Sequence, residues 1–195
     1  MAKNIETEII VEKLSFFKKD NLINQKKIET LPPILYSDNI NNVLLALRSN
    51  WIQDVAGYFS NCRSQSEYSK LNNEYKVQDL LYCQLCSILS DLQYEDPNSK
   101  TKGALTSTRI DFVSKSEKLF IEVKHASTKH TARKIESEIS EDIIKYGKTG
   151  NFKYLIFFIY CNNYSFPNKQ EFEQGFTGVQ TIFDNNIETI CIIKP

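Results

Sequence analysis

The sequence predicts an α/β fold, a mixed central β-sheet flanked by helices in the order αβββαβ with a helical N-terminal extension. Three observations predict it. The stretch Thr108 to Lys124 alternates as a β-hairpin does, the run from Tyr154 to Cys161 is almost wholly apolar, and segments with helical spacing precede the hairpin and separate it from that run. A hairpin, a crossover helix and a further strand together require parallel as well as antiparallel pairing.

Taken in order, Ile5 to Phe17 carries apolar residues at helical spacing, Leu31-Pro32-Pro33 breaks the pattern, and Asn41 to Phe59 resumes it through Val43, Leu44, Leu47, Trp51, Ile52 and Val55. These helices must bury that stripe, either on the main core or against another copy or partner. Residues 1–70 therefore read as a helical region and 71–195 as the main domain. Asn72 and Asn73 are good caps for a helix from Glu74 to Leu92. Within it Cys83 and Cys86 share an apolar pattern with Leu80, Leu81, Leu85 and Ile88 and read as core thiols, the redox alternative being weaker. Gln93 to Thr106 is loop-like, with room for a short first strand between Tyr94 and Leu105. After the hairpin come a helix over Thr131 to Tyr146, a buried strand over Tyr154 to Tyr160, a polar and irregular connection from Cys161 to Asn186, and a last strand over Thr189 to Ile193. No internal repeat is visible.

The chain has 195 residues, with 24 basic and 24 acidic side chains and a formal charge of zero, so any grip on nucleic acid must come from local clustering. Val123 to Ile135 is such a cluster: Lys124, Lys129, Arg133, Lys134, His125 and His130 occur there without an acid, and Glu136, Glu138, Glu141 and Asp142 follow. Five cysteines make an odd count, and the N-terminus lacks the apolar core of a signal peptide, which points to a reducing cytoplasmic compartment. The longest apolar run is too short to span a bilayer, so no membrane association is expected.

The chemistry concentrates in the hairpin. Alternation sets Arg109 and Asp111 on one face of the first strand and Glu122 and Lys124 on the same face of the second. A two-residue turn at Ser116-Glu117, pairing Lys115 with Lys118, places Asp111 directly opposite Glu122, within reach of one divalent cation. That is the chemical set of a metal-dependent phosphodiesterase. A solvated charged face with cross-strand ion pairs is the competing reading, since a Glu-x-Lys tripeptide is common by chance. Context favours the cleft: Leu119-Phe120-Ile121 is apolar on both faces, and a helix bearing Glu74 lies upstream.

The pattern Asp111, Glu122-x-Lys124 resembles the PD-(D/E)XK nuclease superfamily. More narrowly, Asn73-Glu74-Tyr75-x-Val77-Gln78-Asp79-Leu80-Leu81, Arg109-x-Asp111-Phe112 and Ile121-Glu122-Val123-Lys124 resemble the DpnII/MboI-type restriction endonuclease domain. The likeness continues through Glu138 and Asp142-Ile143-x-x-Tyr146 to Ile192-Ile193-x-Pro195, covering roughly Trp51 to the C-terminus, with Ile110 where the superfamily name has proline. It implies a restriction-endonuclease-like fold, with residues 71–195 as the nuclease domain, and a DNA endonuclease acting in restriction or other anti-phage defence.

A hard cation with oxygen ligands suits such hydrolysis, so Mg²⁺ is the expected cofactor, with Mn²⁺ able to substitute. The expected ligands are Asp111, Glu122, the backbone carbonyl of Val123, and Glu74, whose acid at a helix start is also explained by the helix dipole. Lys124 would orient the attacking water or offset developing charge, unless it only pairs with Asp111 across the hairpin. Arg109 would hold a phosphate or brace Glu74, with a surface salt bridge as its alternative. Gln78 shares a helix face with Glu74 and would bond to a ligand or to the metal's water. Asp142 and Tyr146 are supporting residues because the resembled helix flanks the site. Lys129, Arg133 and Lys134 would contact DNA phosphates, with a solvated basic surface as the alternative. His125 and His130 lack zinc-like spacing. DNA is the expected partner, with a homodimer or a separate subunit supplying specificity. An RNA or single-stranded DNA nuclease, or a non-catalytic assembly subunit, are the rival functions.

Overall fold

A computed structural model describes residues 37–61, 68, 70–94, 110–148, 152–183 and 185–195 of the chain. Residues 42–195 form one compact unit. The expected helix over Ile5 to Phe17, the break at Leu31-Pro32-Pro33, and Arg109 lie outside the described residues.

Where one long helix is expected from Asn41 to Phe59 there are two, α1 (Asp38–Arg48) and α2 (Trp51–Asn61). Ser49 makes the break: its hydroxyl donates to the Ala46 carbonyl at 2.6 Å and accepts from the Trp51 N–H at 3.3 Å, ending one helix and starting the next. Val43, Leu44, Leu47 and Ile52 are buried. Lys194 Nζ donates to the Arg48 carbonyl at 3.0 Å and the Gln53 amide donates to the Pro195 carbonyl at 2.7 Å, tying both helices to the end of the chain.

Helix α3 (Glu74–Leu85) starts at Asn73, whose side chain accepts from the Lys76 N–H at 3.0 Å. It ends at Leu85 and not at the expected Leu92. Leu80, Leu81 and Leu85 fill the buried arc of α3, which turns Cys83 and Cys86 outward: both are exposed, so they are not core thiols.

The sheet has six strands: β1 (Gln93–Tyr94), β2 (Phe112–Ser114), β3 (Leu119–Ala126), β4 (Tyr154–Cys161), β5 (Gly178–Ile182) and β6 (Asn185–Lys194). Their order across the sheet is β1-β2-β3-β4-β6-β5, with β3, β4 and β6 parallel and the outer pairings antiparallel. Helix α4 (Ala132–Gly147) makes the crossover from β3 to β4. The connection expected to be irregular contains α5 (Lys169–Gly175) and β5. Both escape sequence reading for physical reasons: α5 is short, and β5 is an edge strand that exposes every second residue and carries little apolar signal.

The core lies between α4 and the sheet, where Ile135, Ile139 and Ile143 meet Leu155, Phe157 and Ile159. Burying each such side chain contributes about 1.5–3 kcal/mol. Phe172 and Phe176, at α5, pack on the same cluster, and Glu173 Oε1 accepts from the Ile193 N–H at 2.7 Å. Two elements that look polar in sequence thus brace the strand that closes the parallel layer.

Candidate active site

The β2–β3 hairpin pairs Phe112 with Ile121, Val113 with Phe120 and Ser114 with Leu119. Continuing that register by one residue sets Asp111 opposite Glu122, as the turn count predicts. Residues 115–118 form the turn, the Lys118 N–H donating to the Lys115 carbonyl at 3.3 Å as that pairing predicts, with Lys118 at φ +50°. Asp91 braces it from outside: its carboxylate accepts from the Ser114 hydroxyl at 2.6 Å and from the Ser116 N–H at 2.7 Å. Asp111 sits just before β2, and its Oδ2 accepts from the Val123 N–H at 2.7 Å, which locks its carboxylate onto β3.

Glu122 points to the α4 side of the sheet. Tyr146 donates its hydroxyl to Glu122 Oε2 at 3.0 Å, and Lys124 Nζ donates to Oε1 at 3.0 Å. Lys124 also stands 3.1 Å from Asp142 Oδ2 and 3.8 Å from Glu138 Oε2. The Asp142 contact is an ion pair. The cross-strand pairing of Lys124 with Asp111 is therefore replaced by pairing with Glu122 and the acids of α4. The reason is tertiary: α4 lies along β3 and brings Glu138 and Asp142, one helical turn apart, over the lysine.

Helix α3 delivers Glu74 and Gln78. Gln78 is buried, donates to Glu74 Oε1 at 3.4 Å and accepts the Tyr94 hydroxyl at 3.1 Å, so β1 and α3 together orient Glu74. Burial raises the Glu74 pKa above the usual carboxylate value, with Lys124 and His130 opposing the rise.

The electrostatics fit a cation. Burial first, and then the charge of Glu122, push Asp111 up to about 8. Burial also raises Glu122, with Lys124 opposing and Asp142 adding to the rise. Desolvation works against the ammonium of Lys124, but Glu122 and Asp142 outweigh it and hold the pKa above the usual lysine value. Burial and the charges of Glu122 and Asp142 raise the Tyr146 pKa above the usual phenol value, leaving the hydroxyl a donor. Facing carboxylates whose pKa values are raised by burial and mutual charge are a donor set chemically suited to a hard divalent ion. Among the described residues no three His, Cys, Asp or Glu side chains are already gathered at metal-binding spacing.

Lys129, Arg133 and Lys134 are exposed in the loop after β3 and in the first turn of α4. Sequence reading gave no role to Asp91 or Tyr94 and placed His130 only in the basic cluster. Asp91 fixes the hairpin, Tyr94 holds Gln78, and His130 lies 2.9 Å from Glu138 through Nε2 and 3.1 Å from the His125 carbonyl through Nδ1. Glu138 and Asp142 at i, i+4 carried the one available signal for the α4 face; the others depend on contacts between distant segments.

A family model described as REase_DpnII-MboI matches residues 47–194, taking in both the hairpin and the helices around it. No curated protein and no solved structure matches the chain. With more than half of the chain matched, and with the sheet and its flanking helices arranged as in a restriction-endonuclease-like fold, the chain belongs to the DpnII-MboI family of restriction endonucleases, which are DNA-cleaving hydrolases.

Proposed function

We propose that this protein is a Mg²⁺-dependent DNA endonuclease serving restriction or another defence against foreign DNA. The observation that carries the proposal is the pairing of a half-buried and a buried carboxylate, Asp111 and Glu122, across the hairpin, with Lys124 projecting from the same face two residues on. Asp111, Glu122, the carbonyl of Val123 and Glu74 would hold the metal, which supplies charge neutralisation at the scissile phosphate and lowers the pKa of a water.

The protein's own groups do the rest. Lys124 carries a proton and a positive charge at the mouth of the site and can hold the attacking water or balance charge on the phosphate oxygens. Tyr146 and Asp142 keep Glu122 and Lys124 in place from α4. Gln78 fixes Glu74. Lys129, Arg133 and Lys134 lie beyond β3 as contacts for the DNA backbone, and Arg109, two residues before Asp111, is assigned a phosphate. Residues 71–195 form the nuclease domain in this reading, and residues 1–70 support it or mediate assembly. One site cuts one strand at a time, so cutting both strands of a duplex calls for a homodimer or a partner subunit.

The test offers supercoiled plasmid, linear duplex, single-stranded DNA and structured RNA to the wild type in Mg²⁺ and in EDTA, and to Asp111→Ala and Lys124→Ala. Cleavage of duplex DNA in Mg²⁺ alone, reduced by at least about 10²-fold in both variants, is expected. Cleavage that persists in EDTA or in Lys124→Ala would sink the mechanism. Preferential cutting of RNA or single strands would move the substrate, and failure to cut anything would leave an assembly subunit.

A further inference from the structure

Lys124 is shared among three acids, and its nearest partner is a residue assigned to the metal. A cation taking Glu122 would weaken the 3.0 Å bond that now holds the ammonium. Something must keep the lysine pointed at the reacting phosphate once that happens. Asp142 is the nearer of the two α4 acids, but its second oxygen is 3.6 Å from Lys145, which draws on the same carboxylate.

Glu138 is placed differently. Its Oε2 is 3.8 Å from Lys124, and its Oε1 is 2.9 Å from His130 Nε2. The opposite ring nitrogen of His130 is 3.1 Å from the carbonyl of His125, the residue directly after Lys124. The loop between is closed on itself, for the Ser127 N–H donates to the His130 carbonyl at 2.9 Å and the His130 N–H donates to the Ser127 hydroxyl at 3.1 Å. His125 is pinned in turn, its Nε2 3.0 Å from the carbonyl of Leu71 just before α3. The contacts make a closed circuit: Lys124, His125, His130, Glu138 and back to Lys124. That circuit contains the loop that carries Lys129 and runs into Arg133 and Lys134.

We infer that Glu138 and His130 are positioning residues, which retain Lys124 when a cation occupies Glu122 and tie its placement to the loop that meets the DNA backbone. This rests on the nuclease reading for its consequence in turnover, though not for the geometry. Because His130 fixes Glu138 and Glu138 fixes Lys124, the two act in series. Losing either one should cost about as much as losing both.

The test uses the full chain and two readouts. In steady-state cleavage of duplex DNA, Glu138→Gln and His130→Ala should each lower kcat about tenfold with KM changed less than about twofold, and the double variant should be no worse than the single ones. Glu138→Gln keeps an oxygen that can face His130, so a purely structural role would leave kcat intact. Independently of turnover, the ammonium resonance of Lys124 is followed in nitrogen-15-labelled protein, assigned by its loss in Lys124→Arg, as Mg²⁺ is added. In the wild type it should persist, and in Glu138→Gln it should broaden away as the ion binds. Persistence in both proteins, multiplicative losses in kcat, or a KM that rises as much as kcat falls would overturn the inference. If the wild type cuts nothing while the resonance behaves as expected, the positioning stands and the nuclease reading fails.

Discussion

At the scale of single residues, the site is governed by too many carboxylates in too little water. Burial and the facing charge of Glu122 hold Asp111 up near 8, and burial raises Glu122 as well, so the folded metal-free pair keeps a proton that the unfolded chain releases near pH 4. The sign follows. Between those limits the native state binds more protons than the unfolded state, so stability falls as pH rises through the window. A divalent cation bound between the two carboxylates would take the place of that proton and remove the loss. Melting in EDTA should therefore occur at a lower temperature at pH 8.5 than at pH 5.5, and Mg²⁺ should raise the midpoint more at the higher pH. Asp111→Asn removes the facing charge and should flatten both dependences. An EDTA midpoint that rises with pH across this window would show that the pair is ionised without a metal and that the donor set does not need one.

Between secondary-structure elements, everything above depends on the register of one hairpin, and that register is held from outside by Asp91. Burial alone would raise the pKa of Asp91, but the hydrogen bonds from Ser114 and Ser116 outweigh it and hold the carboxyl below its usual value, so those bonds favour the charged form. Asp91→Ala should cost about 1–2 kcal/mol of stability. It should also reduce cleavage well below the melting transition, because a loosened turn no longer keeps Asp111 opposite Glu122; cleavage unchanged at 25 °C would assign the register to the ladder alone. The register itself was legible, because side chains in a strand alternate strictly and the turn is short enough to count across. Strand β4 was legible from its unbroken apolar run. Helix α5 and strand β5 were not, since a short helix and a half-exposed edge strand carry too few apolar positions to stand out. The α1–α2 break turns on one serine's choice of partners. The outward turn of Cys83 and Cys86 depends on which arc of α3 meets the core. The true partners of Lys124 sit on α4, and no local pattern in β3 announces where a crossover helix will lie.

Over the whole molecule, the formal charge of zero means that attraction to DNA cannot be a property of the surface at large. It must arise where cations are concentrated, and Lys129, Arg133 and Lys134 are exposed together at the start of α4, beyond the strand that carries Glu122 and Lys124. Cations in a first helical turn oppose the helix dipole, a small cost that a bound phosphate would reverse. Further along α4 the acids Glu138 and Asp142 turn toward Lys124, so cations for the backbone and acids for the lysine are segregated along one element. If these three residues each neutralise a phosphate, each releases counterions and adds about 0.9 to the slope of log affinity against log salt. Replacing all three by alanine should therefore make that slope shallower by roughly 2–3 and weaken binding by a similar factor on duplexes of any sequence. The measurement is the affinity of the wild type and the triple variant for a labelled duplex between 50 and 200 mM salt, in Ca²⁺ with product formation monitored, so that only binding to uncut duplex is read. An unchanged slope would move the DNA-binding face elsewhere on the protein and leave this patch as solvated surface.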